Sequence, residues 1–187
     1  MCYEFPDRDR AKASAWARET LARTNVVILD TETTGLDDEA EIVQLAMIDL
    51  HNADAMSGGV FLDTLIRPSR PIPPAATAIH GITDAMVSNA PTMAEILPLF
   101  ISLIKHRTVL IYNAEYDLRL LQQSGVPNLA GYAATFVCVM QWYSLYVGDF
   151  SEYYGSYRWQ RLPGGDHTAL GDCRATLAVL KRMAGVE

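Results

Sequence analysis

The segment "NVVILDTETTGL", residues 25 to 36, constrains the fold more than any other stretch. Four consecutive apolar residues, Val26 to Leu29, leave no polar face for solvent. They therefore read as a strand covered on both sides, in the middle of a sheet. The same strand then carries Asp30 and Glu32. Side chains two apart on a strand share a face, so the two carboxylates project together from the strand's end. Desolvated and unpartnered, such a pair costs on the order of several kcal/mol, and no Lys or Arg lies between Asn25 and Ile66 to neutralise it locally. A hard divalent cation such as Mg²⁺ or Mn²⁺ would do so through oxygen ligands. Taken alone, the pair also suits a strand-end turn in which Asp30, Thr31 and Thr34 cap backbone groups.

The rest of the chain alternates between the two periodicities. Residues 7 to 23 have helix-forming composition, with Asp7 as a candidate cap. "EIVQLAMIDL" and "GVFLDTLIRP" read as strands joined by "HNADAMSGG", so the first three strands are expected to be antiparallel. Pro71, Pro73 and Pro74 lead into a short helix before "IHGIT". Thr92 then caps a longer helix in which Pro98 is a potential kink. "TVLIY" is a fourth strand, Asn113 a candidate cap for "AEYDLRLLQQSG", "ATFVCV" a fifth strand, and the last helix spans about residues 168 to 184. Five strands with interleaved helices make an α/β domain with a mixed sheet.

Two further carboxylates fall at informative places. Asp117 lies on the first turn of the helix after the fourth strand, where an acid is also favoured by the helix dipole. On the last helix Arg174 and Lys181 mark a solvated face, and Asp172 points roughly 160° away from them. It sits beside the stripe of Leu170, Cys173, Leu177 and Leu180, where a charge needs a partner. Gly171 costs that helix about 1 kcal/mol relative to Ala, which suggests close approach of another group or a packing constraint. His167 follows "LPGGD" and precedes the helix. Imidazole is the side chain that exchanges protons near neutrality, which makes a general base beside Asp172 plausible.

In order, "DTETTGL", "IHGIT", "YNAEYDLRLL" and "HTALGDC" resemble the motifs of the DEDDh, or DnaQ-like, 3′→5′ exonucleases of the ribonuclease H-like fold. The resemblance covers about residues 25 to 184, making the chain one exonuclease domain with residues 1 to 24 as a helical extension. It implies a five-stranded sheet in the order 3-2-1-4-5 flanked by helices. It implies that Asp30, Glu32, Asp117 and Asp172 hold two divalent metal ions, Mg²⁺ or Mn²⁺, and that His167 deprotonates the attacking water. Thr33, Gly35 and Leu36 are then expected at the terminal nucleotide, with contributions from His80 and Asn113. For Leu36, simple core packing is an equal alternative.

Composition bounds the partners less sharply. The net charge of −7 argues against backbone-driven nucleic-acid binding, but bound divalent ions invert the local charge of an acidic site. No run reaches the roughly 18 apolar residues of a membrane helix, and the charged N-terminus is unlike a signal peptide. Cys2, Cys138 and Cys173 show no metal or disulfide spacing. A cytoplasmic protein acting on 3′ ends of single-stranded DNA or RNA is therefore expected. The chain ends just after its last helix, so polymerase association is not expected, whereas a homodimer is compatible. The aromatic segment from Trp142 to Arg161 suits base stacking, coverage of a sheet edge or a dimer contact. Two other readings compete: an inactive nucleic-acid-binding module of the same fold, and a nucleotide phosphohydrolase with the same metal cluster.

Overall fold

The apolar segment around Val26–Leu29 lies at the centre of the sheet, as its sequence requires. The structure is a computed structural model and describes residues 5–51, 59–126 and 129–186. Helix α1 (Phe5–Leu21) leads into strands β1 (Val26–Thr33), β2 (Ile42–Asp49) and β3 (Gly59–Leu65). Two short helices, α2 (Pro74–His80) and α3 (Asp84–Val87), precede α4 (Met93–Ile104), β4 (Thr108–Ile111) and α5 (Ala114–Gln123). A 3₁₀ turn, Leu129–Tyr132, leads to β5 (Thr135–Cys138), α6 (Val139–Val147), a small hairpin of β6 (Phe150–Ser151) and β7 (Ser156–Tyr157), and α7 (Ala169–Ala184).

The sheet order is β3-β2-β1-β4-β5. The β1–β2 and β2–β3 pairs are antiparallel, and β1–β4 and β4–β5 are parallel. This is the expected ribonuclease H-like arrangement. Alternation along β1 sends Val26 and Ile28 into one core with Cys173, Leu177 and Leu180 of α7. Val27 and Leu29 enter a second core with Phe100 and Ile104 of α4 and Leu120 and Leu121 of α5. Asp30 and Glu32 continue the α7 face of the strand.

Several local expectations change. Helix α1 begins before Asp7, which sits in its first turn and not at its cap. Asn113 makes no side-chain cap to α5. Thr92 does cap α4: its hydroxyl accepts from Glu95 N–H, and the Glu95 carboxylate accepts from Thr92 N–H at 2.7 Å, a reciprocal capping box. Helix α4 continues through Pro98. The fifth strand is shorter than "ATFVCV", because Val139 already starts α6. Residues 52–58 of the connection "HNADAMSGG", and Cys2, lie outside the described residues.

Helix α6 takes up the first part of the aromatic segment. Trp142 stacks face to face on Trp16 of α1, with ring centroids 4.6 Å apart and planes 3° apart. Arg10 of α1 donates to the carbonyl of Tyr146 at 2.8 Å, satisfying the C-terminal end of α6. The N-terminal helix is thus held by stacking and by capping a neighbour. Replacing Trp16 by Ala should lower the unfolding free energy in urea by about 1–3 kcal/mol. A double-mutant cycle with Trp142→Ala should return about 0.5–1.5 kcal/mol of coupling. Strictly additive losses would mean that the two indoles do not act on each other.

Candidate active site

Strand β1 outruns its parallel neighbour. The β1–β4 ladder ends at the pair Ile28 and Leu110, so residues 30 to 33 extend past β4 while still pairing with β2. Into that gap come α5 from one side and α7 from the other. A bulge in the β1–β2 register between Glu32 and Thr33 re-aims the strand as it leaves the sheet. Opposite Glu32 stands Gln44, whose Oε1 accepts from Ala169 N–H at 3.1 Å, which holds the first turn of α7 over the strand.

That docking brings Asp172 to the β1 carboxylates. Oxygen atoms of Asp30, Glu32 and Asp172 all lie within 4.8 Å of one another. Asp117 is separate from that group of three. It is 4% exposed, and its Oδ1 accepts from Thr31 Oγ1 at 2.8 Å. Thr31 points to the opposite side of β1 from its two neighbours, so a single strand presents carboxylates to α7 and a hydroxyl to the carboxylate on α5. The sequence offered Thr31 as a cap for backbone groups; its hydroxyl instead serves Asp117, on the face that strand alternation gives it.

The loop before α7 is built around Asp172 and Asp166. Asp172 Oδ1 accepts from Asp166 N–H at 2.9 Å. Asp166 Oδ1 in turn accepts from the N–H and the hydroxyl of Thr168, at 3.0 and 2.8 Å, and Thr168 Oγ1 caps the helix by accepting from Gly171 N–H. The close approach suggested by Gly171 is this Asp166 carboxylate, which occupies the space a β-carbon would need. Gly165 is fixed for the same reason, since its β-carbon would lie 2.9 Å from Asp172 Oδ1. Between them His167 is exposed and in the left-handed conformation, with φ of 60°.

On the other side a three-oxygen cluster shapes the loop after Glu32. The carbonyl of Gly35 accepts from Tyr116 Oη at 2.7 Å and from Thr33 Oγ1 at 2.9 Å. Arg119 donates to the carbonyl of Leu36 at 3.1 Å. Tyr116 and Arg119, which sequence reading passed over, thereby pin the loop to α5. Leu36 is 77% exposed, so core packing does not account for it. His80 Nδ1 accepts from Ile82 N–H at 3.0 Å, which leaves Nε2 to donate to the carbonyl of Thr33 at 3.2 Å. Burial lowers the His80 pKa and favours this neutral form. Asn113 is exposed at the start of α5.

The electrostatics are those of acids held too close together. Burial, reinforced by Asp172 and Asp117, pushes Glu32 up to about 7. Burial raises Asp117 to about 7 against the opposing Thr31 hydrogen bond. Asp30 retains some solvent contact but is enclosed by protein, and burial followed by repulsion from Asp117 raises it well above the usual carboxylate range. Asp172 is raised by burial, against the backbone N–H groups of Asp166 and His167.

Comparison with known proteins agrees with this geometry. The profile of the RNase T exonuclease family matches residues 27–180, and the chain belongs to that DnaQ-like family. It is 40% identical over 177 residues to the uncharacterized exonuclease CP81 of Escherichia phage 186, covering 84% of this chain and 87% of the phage protein. It is 31% identical over 160 residues to exodeoxyribonuclease 10 of Escherichia coli K12, covering 82% of this chain and 66% of that protein. Among solved structures, exonuclease X in complex with 5′ overhanging duplex DNA superposes with a TM-score of 0.58 at 28% identity, covering 87% of this chain and 94% of the other.

Raised carboxylate pKa values have a definite sign for stability. The folded, metal-free chain holds protons on Glu32 and Asp117 up to about pH 7, whereas the unfolded chain releases them near 4.5 and 3.8. Between those limits the folded state binds more protons, so its stability falls as pH rises. Thermal melts in EDTA should therefore show a decreasing Tm from pH 5 to pH 8. Asp117→Asn, which keeps an acceptor for Thr31, should flatten that decline. A Tm that rises over the same interval would contradict the charge crowding described here.

Proposed function

We propose that this chain is a metal-dependent 3′→5′ exonuclease that removes nucleotides from the 3′ end of a single strand and releases 5′-monophosphates. The observation that carries the reading is the convergence of Asp30, Glu32 and Asp172 within 4.8 Å, in a chain of an exonuclease family. Residues 25 to 184 form the catalytic core in this reading, and residues 1 to 24, which include α1, are an extension of it. The names of its relatives and the DNA held by its structural neighbour favour DNA over RNA.

The donor set fits hard divalent ions. It consists entirely of carboxylate oxygens, and burial and mutual repulsion leave these groups with uncompensated negative charge that a cation would relieve. Asp30, Glu32 and Asp172 would hold two Mg²⁺ or Mn²⁺ ions, with Asp117 completing the set from the Thr31 side. When bound, such ions lower the pKa of water and stabilise charge on the leaving 3′ oxygen.

The chain's own groups supply the remainder. His167, exposed on its left-handed turn, accepts the proton of the attacking water and passes it to solvent. Asp172, by accepting from Asp166 N–H, keeps that turn beside the carboxylates. The loop Thr33, Gly35 and Leu36 takes the terminal nucleotide, its backbone fixed by Tyr116 and its exposed leucine presenting apolar surface to a base. His80 steadies Thr33 through its carbonyl, and Asn113, exposed at the start of α5, is assigned to the substrate strand.

A 5′-labelled single-stranded DNA and its RNA counterpart, incubated with Mg²⁺ or Mn²⁺, should yield a ladder that shortens from the 3′ end and disappears in EDTA. Asp30→Asn should lower the rate by more than about 100-fold, beyond the usual 10–100-fold cost of disturbing a metal ligand's outer partners. His167→Ala should lower it by about 10²–10⁴-fold. Digestion of free nucleotides without digestion of oligomers would instead identify a phosphohydrolase. Binding without cleavage under either metal would identify an inactive module.

A further inference from the structure

The hairpin segment contains an aromatic side chain that the reaction above does not use. Trp159 is 72% exposed, and among the described residues no ring or cation stacks on it. An indole in water forgoes much of the roughly 25 cal/mol per Å² that burial would return, and this one is held on fixed backbone at the edge of a cleft. The backbone around it is fixed. The Tyr112 hydroxyl donates to the carbonyls of Gln160 and Arg161, 3.0 Å from each. On the other flank Arg158 N–H donates to the Asp149 carbonyl at 2.8 Å, and Tyr157 Oη donates to Asp9 of α1 at 2.8 Å. Phe150 and Tyr157 pack edge to face across the hairpin at 5.3 Å.

Trp159 lines a cleft of about 440 Å³ together with Asn113, Glu115, Tyr116 and Arg119 of the first turns of α5. That volume lies low in the small-ligand range of about 300–1,000 Å³, enough for one nucleoside and too little for a duplex. The cleft adjoins the loop that follows Glu32, because Tyr116 both lines it and holds the Gly35 carbonyl.

Its chemistry selects a base over a phosphate. Arg119 is engaged by the Leu36 carbonyl and lies 3.9 Å from Asp38, its guanidinium 5.4 Å from the Tyr116 ring centroid. Glu115 adds a negative charge, so the cleft offers aromatic faces more than free cations. A second copy of the chain is a poorer occupant, since a concave site of this size provides little of the roughly 1,200–2,000 Å² that a stable interface buries. At the hairpin tip, Tyr153 and Tyr154 already pack edge to face on each other at 4.8 Å.

We propose that the cleft between Trp159 and the start of α5 seats an unpaired base of the substrate strand, upstream of the nucleotide being removed, with Trp159 as its stacking face. The inference rests on the exonuclease reading and adds to it a subsite for single-stranded substrate. Stacking carries this contact, so the affinity lost on removing the indole should depend only weakly on salt, whatever the salt dependence of the whole strand.

The test follows binding of an oligothymidylate protected by 3′ phosphorothioate linkages in Mg²⁺. Trp16 and Trp142 stack on each other, so quenching of tryptophan fluorescence by the strand should come from Trp159 and vanish in Trp159→Phe. That variant should retain affinity to within about 3-fold, whereas Trp159→Ala should raise Kd by about 5- to 150-fold. Unchanged affinity in Trp159→Ala, or an altered oligomeric state with unchanged affinity per protomer, would overturn the subsite. Cleavage of unprotected strand by the wild type is assayed alongside. Active wild type with unaffected Trp159→Ala removes only this inference, and inactive wild type removes the exonuclease reading as well.

Discussion

The contact on which the structure turns is a repulsive one. Asp30, Glu32 and Asp172 are brought together by apolar packing that has no interest in charge: Val26 and Ile28 on one side, Cys173, Leu177 and Leu180 on the other. Each buried aliphatic side chain contributes about 1.5–3 kcal/mol, enough in aggregate to hold α7 on the sheet while the acids at its end resist. The strain is relieved by protons or by a cation. Folding energy is thus converted into affinity for a divalent ion, and the raised carboxylate pKa values are the trace of that conversion.

A second theme is that backbone, more than side chains, is what the neighbouring helices hold. Tyr116 and Arg119 bind carbonyls of Gly35 and Leu36, His80 binds that of Thr33, and Tyr112 binds those of Gln160 and Arg161. The backbone is thus held independently of the adjoining side chains, so Leu36 and Trp159 are exposed on fixed main chain.

The fold was largely legible in the chain because its strands obey simple patterns. The doubly apolar Val26–Leu29 had to be central, and β2 and β3 followed as two apolar runs joined by a segment containing Asn, Ser and Gly. What pattern could not supply was depth. Alternation in "DTET" parts Thr31 from the two acids, but which face meets α7 and which meets α5 depends on where β4 stops and how the helices dock. Asn113 looked like a cap by residue type, but its conformation at φ −117° and ψ 73° leaves the side chain outside the helix end. The aromatic segment was opaque because it divides three ways, between the Trp16–Trp142 stack, a hairpin and the cleft at Trp159, and composition is the same in all three. Gly171 gave a true signal of close approach, but only coordinates identify the neighbour as Asp166.

Cys173 follows Asp172 directly on α7 and lies against the sheet, its Sγ 3.5 Å from the carbonyl of Ala46 and 3.8 Å from that of Ile28. Burial, and then the nearby carboxylates, push its thiol well above the usual range, which keeps it unreactive while the helix is seated. A reagent can reach it only when α7 lifts, and the same movement scatters the acidic cluster. The thiol is thus a built-in clock for the acidic cluster: with a reagent fast enough to outrun reclosing, its labelling rate measures how often the cluster comes apart.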